Sequence, residues 1–328
     1  MARRQARNLE PESFGPVYTT GTSFRARAEA RQRRYRAEVL QEGWDRHGHW
    51  LDAEAVGRGA NFVVPAAHAA AMRRRDAGKG VGERTFRNML SSQAMCFNLF
   101  APLAADTDLA TAVLAPLLPG LVRVDSIIIE HTPAADVFGD QTGRGGVDCD
   151  LLVEATFSEG AAVVVIETKF VEEEFSSCGF RRAGRAARGQ VVCPEDVPVR
   201  DDRGACAYQG VKGYGYWRRS EEHRTLVELP AKGCPFGGPL WQLWVNHALA
   251  HVEAARRGAG RALFLVCAPS DNEALLSGGR VLDEFRALLR QPGTVGLLPL
   301  DALIDRVGAV AGEGSEWARG LRDRYGRI

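Results

Sequence analysis

The sequence predicts an α/β layer fold. Short runs rich in Val and Ile read as buried strands, and apolar stripes at helical spacing alternate with them along the chain. In order, residues 23–44 read as a basic helix. Residues 82–100 read as a second helix, with Phe86, Leu90, Gln93, Phe97 and Phe100 on one stripe. Residues 121–130 form a strand. Residues 147–157 and 161–170 form two more, joined by the turn residues Ser158, Glu159 and Gly160. Residues 240–256 read as a helix with Trp241, Val245, Ala248 and Val252 on one side. Residues 261–267 are a buried strand closed by Ala268-Pro269-Ser270, and the apolar run 295–300 extends the sheet.

The hairpin at 147–170 carries the chemistry. Its strands read as buried on both faces, yet they hold Asp148 and Asp150 on one and Glu167 and Lys169 on the other. Charge on a buried strand is costly unless it is paired or holds a metal. Side chains alternate, so each pair shares a face. A two-residue turn at Ser158-Glu159 sets Asp150 opposite Glu167 and Asp148 opposite Lys169. A four-residue loop sets Asp150 opposite Lys169 instead, and a three-residue loop turns the acids to the wrong face. Two carboxylates ~4 Å apart repel by roughly 4 kcal/mol at an effective dielectric near 20. One lysine offsets part of that; a hard divalent cation such as Mg²⁺ or Mn²⁺ offsets all of it.

This Asp…Glu-x-Lys hairpin resembles the catalytic core of the PD-(D/E)XK nuclease superfamily. The stretches RNMLSSQ, CFNLF and IETKFVEEEFSSC resemble bacterial restriction-endonuclease-like members of it, across residues 31–300. The resemblance implies a restriction-endonuclease-like core in the order αβββαβ, a central mixed β-sheet flanked by helices. It implies that Asp150 and Glu167 bind Mg²⁺ or Mn²⁺ with the backbone carbonyl of Thr168, and that Lys169 positions and activates water. Val147 and Cys149 stand where the eponymous Pro would, so Asp148 remains a substitute or second ligand. Asp150 is favoured because an apolar run, Leu151 to Val153, follows it. Gln242, at the start of its helix with Asn246 one turn on, matches by position a Gln that points into the cleft. Gln93 shares that reading or is a satisfied core residue. Asp125 and Glu130 on the first strand could supply an extra acid, but surface placement is the expectation.

The 328 residues fit one large domain with extensions, or two domains: a basic, mainly helical extension over 1–80, then a nuclease-like domain over 81–328 with a Cys-containing insertion at 171–239. Net charge is only +1, but residues 1–80 hold 15 Lys and Arg against 9 Asp and Glu. Arg33 and Arg34 in the first helix, and Arg181, Arg182 and Arg185 beyond the active-site strand, are candidate phosphate contacts to nucleic acid, foremost DNA. For the first helix, a solvated face is the competing reading.

The N-terminus lacks the apolar core of a secretory signal, and no apolar run approaches a membrane span. Seven scattered cysteines fit a reducing cytoplasm. Those at 178, 193, 206 and 234 lack any C-x-x-C and match no zinc or cluster pattern, so free thiols are expected. His247 and His251 read as a helix-surface pair, and the Gly-rich stretch at 143–146 as a flexible entry to the site. The expected activity is metal-dependent hydrolysis of DNA phosphodiesters by an endonuclease. The rivals are a silent member that only binds nucleic acid or a partner, and a structural metalloprotein. Oligomeric state stays open; a duplex cutter with one site per chain often needs a homodimer.

Overall fold

A computed structural model describes residues 11–18, 21–78, 80–140, 147–181, 186–312 and 314–328. Helix α1 (Ser23–Arg34) runs on into a π-helical turn, Tyr35–Leu40, and is followed by the ribbon β1 (Trp44–Asp45) and β2 (His47–Leu51). Helices α2 (Ala53–Gly57), α3 (Pro65–Asp76), α4 (Glu83–Arg87), α5 (Ser92–Ala105) and α6 (Thr107–Leu114) lead to β3 (Leu121–His131), β4 (Cys149–Phe157) and β5 (Gly160–Thr168). Short helices α7 (Ala207–Gly210) and α8 (Tyr216–Glu222) lie in the insertion. Then come α9 (Leu240–Arg256), β6 (Arg261–Ala268), α10 (Glu273–Leu276), α11 (Arg280–Arg286), β7 (Val295–Pro299), α12 (Leu300–Ala311) and α13 (Glu316–Tyr325).

The five-stranded sheet has the order β3-β4-β5-β6-β7. β3, β4 and β5 are antiparallel; β5, β6 and β7 are parallel, as the α9 crossover between β5 and β6 requires. Phe157 pairs with Gly160, so the turn is the two-residue form and the register runs back to Leu151 opposite Ile166. Strict alternation feeds two cores. Leu151, Val153, Val164 and Ile166 pack with α5, α6 and α12, while Leu152, Val163, Val165 and Phe264 pack with α9 and α11. Phe24 and Ala28 of α1 join the first of these cores.

Two elements differ from the sequence reading. The expected helix over 82–100 is broken at 88–91. Asn88 is extended and bridges to Trp50, its side chain accepts from the Leu90 N–H at 3.0 Å, and Ser91 caps α5 by accepting from the Ala94 N–H. The hairpin strands are also shorter at the open end than 147–157 and 161–170: β4 begins at Cys149, β5 ends at Thr168, and the ladder between them stops at Leu151–Ile166.

Candidate active site

The end of the ladder builds the site. Beyond Leu151 and Ile166 the strands splay, and the Asp150 carboxylate replaces a ladder partner. Its Oδ2 accepts from the Thr168 N–H and from Thr168 Oγ1, both at 2.6 Å. Glu167 faces α9. Its Oε1 accepts from Gln242 Nε2 at 2.7 Å and from Lys169 Nζ at 2.9 Å, and its Oε2 from Asn246 Nδ2 at 2.8 Å. Residues 242 and 246 lie one helical turn apart, so one face of α9 holds both oxygens. Gln242 is itself anchored, its Oε1 accepting from the Ser176 N–H at 2.9 Å. Glu172 closes the far side by accepting from Ser92 Oγ and from the Phe170 N–H, both at 2.7 Å.

Glu130 completes the group. The pairs Ile129–Leu151 and His131–Cys149 bracket it, which sets it beside Asp150 on the neighbouring strand. It is 7% exposed, with Oε1 buried and without a hydrogen-bond partner, and its backbone adopts a left-handed φ of 55°. Arg74 donates to its main-chain carbonyl. The expectation that Glu130 sits at the surface is therefore corrected. It ends an apolar strand, as Asp150 begins one, and that was the available signal.

Electrostatics follow from the crowding. Burial, then the charge of Asp150, pushes the Glu130 carboxyl up to about 9. Burial, then Glu167, pushes Asp150 up to about 7. Burial opposes the Lys169 charge, but Glu167, Glu172 and Asp150 outweigh it and hold the ammonium well above the usual lysine range. Three carboxylates thus share one ammonium in a buried setting. The orphaned Glu130 oxygen and the hard oxygen donors fit a divalent cation. Among the described residues no three His, Cys, Asp or Glu side chains already converge as a cage for one ion. The acids instead stand as neighbours, held by protein donors.

The other predicted residues fall in different places. Asp148 precedes β4 and does not face Lys169. Burial raises its carboxyl, Thr132 donates to it, and its charged neighbours are Asp140, Arg74 and His131. Gln93 is the exception: at the start of α5 its side chain meets the Glu130 carboxyl, while its Oε1 accepts from Thr85 Oγ1 and its Nε2 approaches the Gly80 carbonyl. Arg33 does not present its side chain to solvent. It is buried, with Nε donating to the Phe14 carbonyl at 3.2 Å and Nη2 to the Gly15 carbonyl at 2.5 Å. Arg34 is exposed over the Phe14 ring. Arg181 donates to the Cys193 carbonyl at 3.1 Å and lies 3.8 Å from Glu195. Arg182, Arg185 and the 143–146 stretch lie outside the described residues. His247 is buried, not on the surface. No helix among the described residues is long and apolar enough to cross a membrane.

The family profile described as the PD-(D/E)XK nuclease superfamily matches residues 19–190 and 229–327, most of the chain. The gap between the two matched stretches falls inside the insertion. Comparison with curated proteins and with solved structures found no match.

Proposed function

The chain belongs to the PD-(D/E)XK nuclease superfamily, and from that premise we propose that it is a metal-dependent nuclease hydrolysing phosphodiester bonds of DNA. The observation that carries the reading is the gathering of Glu130, Asp150, Glu167 and Lys169 at one end of β3, β4 and β5, with a carboxylate oxygen left bare. A pure binder has no use for paired buried acids beside a phosphate path, since they repel the ligand. Asp150, Glu167 and the Thr168 carbonyl are the proposed ligands of Mg²⁺ or Mn²⁺, with Glu130 the adjoining acid and Asp148 the outlying one. When bound, the cation supplies charge stabilisation at the phosphoryl oxygens and a more acidic water.

The chain's own residues do the rest. Lys169 sits on the Glu167 oxygen at 2.9 Å and orients water beside the ligands. Gln242 and Asn246 fix the Glu167 carboxylate so that it is already aimed before substrate arrives. Arg34 and Arg181, with Arg182 and Arg185, are proposed phosphate contacts. Incubation of the protein with plasmid, single-stranded DNA and RNA in Mg²⁺ or Mn²⁺ tests the reading. DNA cleavage that stops with chelator, and that Asp150→Ala abolishes while Asp148→Ala only weakens, is the expected result. Intact substrates in both metals would overturn it. Full activity of Asp150→Ala would remove that residue from the site.

A further inference from the structure

We propose that a cavity at the far end of the sheet from the carboxylates binds a nucleotide-sized phosphorylated small molecule. The inference is independent of the nuclease reading. The cavity measures about 650 Å³, within the ~300–1,000 Å³ of small-molecule sites. It lies where β6 starts, the β4–β5 turn closes and α9 ends, with Arg261, Glu159 and His251 among its walls. Arg261 pairs with Ala162 at one end of the β5–β6 ladder, and Cys267 pairs with Thr168, which donates to Asp150, at the other. The strand between them spans ~20 Å and separates the cavity from the carboxylate cluster.

Two arginines give the cavity its charge. Glu159, the carboxylate of the wall, is taken by Arg261, which donates to it at 3.1 Å and lies over the Phe157 ring. Arg224 and Arg290 also line the cavity. Both are exposed, and among the described residues neither side chain makes a hydrogen bond or an ion pair. The chain holds them together: Leu226 bridges to Leu289, the Arg290 N–H donates to the Thr225 carbonyl at 3.0 Å, and the Val227 N–H to the Leu288 carbonyl at 3.0 Å. Arg224 has a left-handed φ of 50°, a conformation that a residue other than glycine keeps only where its surroundings impose it. Two guanidinium groups on one wall, with its carboxylate engaged elsewhere, suit a doubly charged oxyanion that accepts forked hydrogen bonds from both.

The deeper wall is neutral and polar. His247 is 1% exposed, and its Nδ1 is buried without a hydrogen-bond partner. Its Nε2 lies 2.9 Å from Thr294 Oγ1, which donates to the Gln291 carbonyl at 2.6 Å. A hydroxyl has one proton to give, so Thr294 accepts from His247. That puts the His247 proton on Nε2 and leaves Nδ1 a bare acceptor. Burial holds His247 well below the ordinary histidine range, and burial, then the charge of His223, brings His251 down to about 4, so both rings are uncharged at neutral pH. A buried acceptor without a donor is costly, and an N–H or O–H of a ligand removes that cost. Uncharged ring nitrogens behind a pair of cations sort the ligand by its two ends: phosphate at the arginines, and a hydrogen-bonding base or sugar at the histidines. A nucleoside monophosphate has both ends; inorganic phosphate has only the first.

Calorimetric titration of the full-length protein in chelator provides the test, with the adenosine, guanosine, cytidine and uridine monophosphates, inorganic phosphate and adenosine as probes. Chelator keeps the carboxylates from drawing phosphate through a metal. At least one nucleotide should bind about tenfold or more tightly than either phosphate or adenosine alone. Arg224→Ala and Arg290→Ala together should weaken it by about tenfold or more, because charged hydrogen bonds are lost, while Asp150→Ala leaves it unchanged. Photolabelling of wild type with azido-adenosine monophosphate covers a variant that fails to fold: the label should fall on peptides containing 223–225, 247–251 or 290–294. Four results would each overturn the proposal: no binding of any probe, phosphate bound as tightly as every nucleotide (an adventitious ion only), wild-type affinity in the double variant, or label at the carboxylate end of α9. A 5′-phosphorylated DNA strand that binds more tightly than every mononucleotide would also overturn it, assigning the cavity to strand ends.

Discussion

Glu130 stands beside Asp150 across the β3–β4 ladder, bracketed by the pairs Ile129–Leu151 and His131–Cys149. Burial, then the charge of Asp150, pushes the Glu130 carboxyl up to about 9, and burial, then the charge of Glu167, pushes Asp150 up to about 7. The neighbourhood makes sense as a place where added positive charge is wanted.

The first prediction concerns pH and stability. Both folded values lie above the unfolded carboxyl range of about 4. Such groups bind protons more tightly when folded, so their contribution is fully present below that range and is lost as pH rises through about 7 and then about 9. The metal-free protein should therefore melt at progressively lower temperature between about pH 6 and about pH 9. Mn²⁺ should restore much of the loss, since it needs the ionised form. Glu130→Gln should flatten the decline and weaken the response to Mn²⁺. Thermal melts at several pH values with and without Mn²⁺ check this; identical pH profiles for wild type and variant would contradict it.

Asn246 is predicted to matter more for stability than Gln242. Asn246 is 1% exposed and alone among the two reaches Glu167 Oε2, whereas Oε1 keeps Lys169 if Gln242 is lost. Asn246→Ala leaves a buried carboxylate oxygen bare, at a cost of about 1–3 kcal/mol. Gln242→Ala should cost less in denaturant unfolding and lower turnover instead. Equal unfolding midpoints for the two variants would refute this division.

The basic helix splits into structural and solvent-facing arginines. Arg33→Ala should lower the melting temperature, because it removes donors to two carbonyls, and leave the salt dependence of DNA binding unchanged. Arg34→Ala should leave the fold intact and reduce the slope of log affinity against log salt by about 0.9. Binding titrations across a range of salt concentrations distinguish the two; a reduced slope with Arg33→Ala would reverse the assignment.

Much of the sheet was legible in the sequence because its signals are local. Ser158, Glu159 and Gly160 marked the hairpin turn but left a two-residue and a four-residue register open; the Phe157–Gly160 pair selects the first. The bounds of α9 follow from an unbroken apolar stripe. The break at 88–91 was hidden because Phe86, Leu90, Gln93 and Phe97 keep helical spacing across it, while the bridge from Asn88 to Trp50 is long-range. Arg33 and Arg36 were illegible for a related reason. Only tertiary structure brings the carbonyls of residues 13–15 to them, and a run of arginines by itself reads as a charged face. The cavity lined by Arg224 and Arg290 likewise depends on a long-range bridge, from Leu226 to Leu289.

The central claim rests on Lys169, whose Nζ lies 2.9 Å from Glu167 Oε1. The most direct measurement compares wild type and Lys169→Ala for plasmid cleavage at matched DNA occupancy in Mg²⁺ and in Mn²⁺. The variant should keep its fold and its DNA affinity and lose most turnover, because it removes a group that acts in the transition state. A contaminating nuclease would survive the substitution, so the comparison is internally controlled. Equal cleavage by the two proteins would contradict the catalytic assignment of this hairpin.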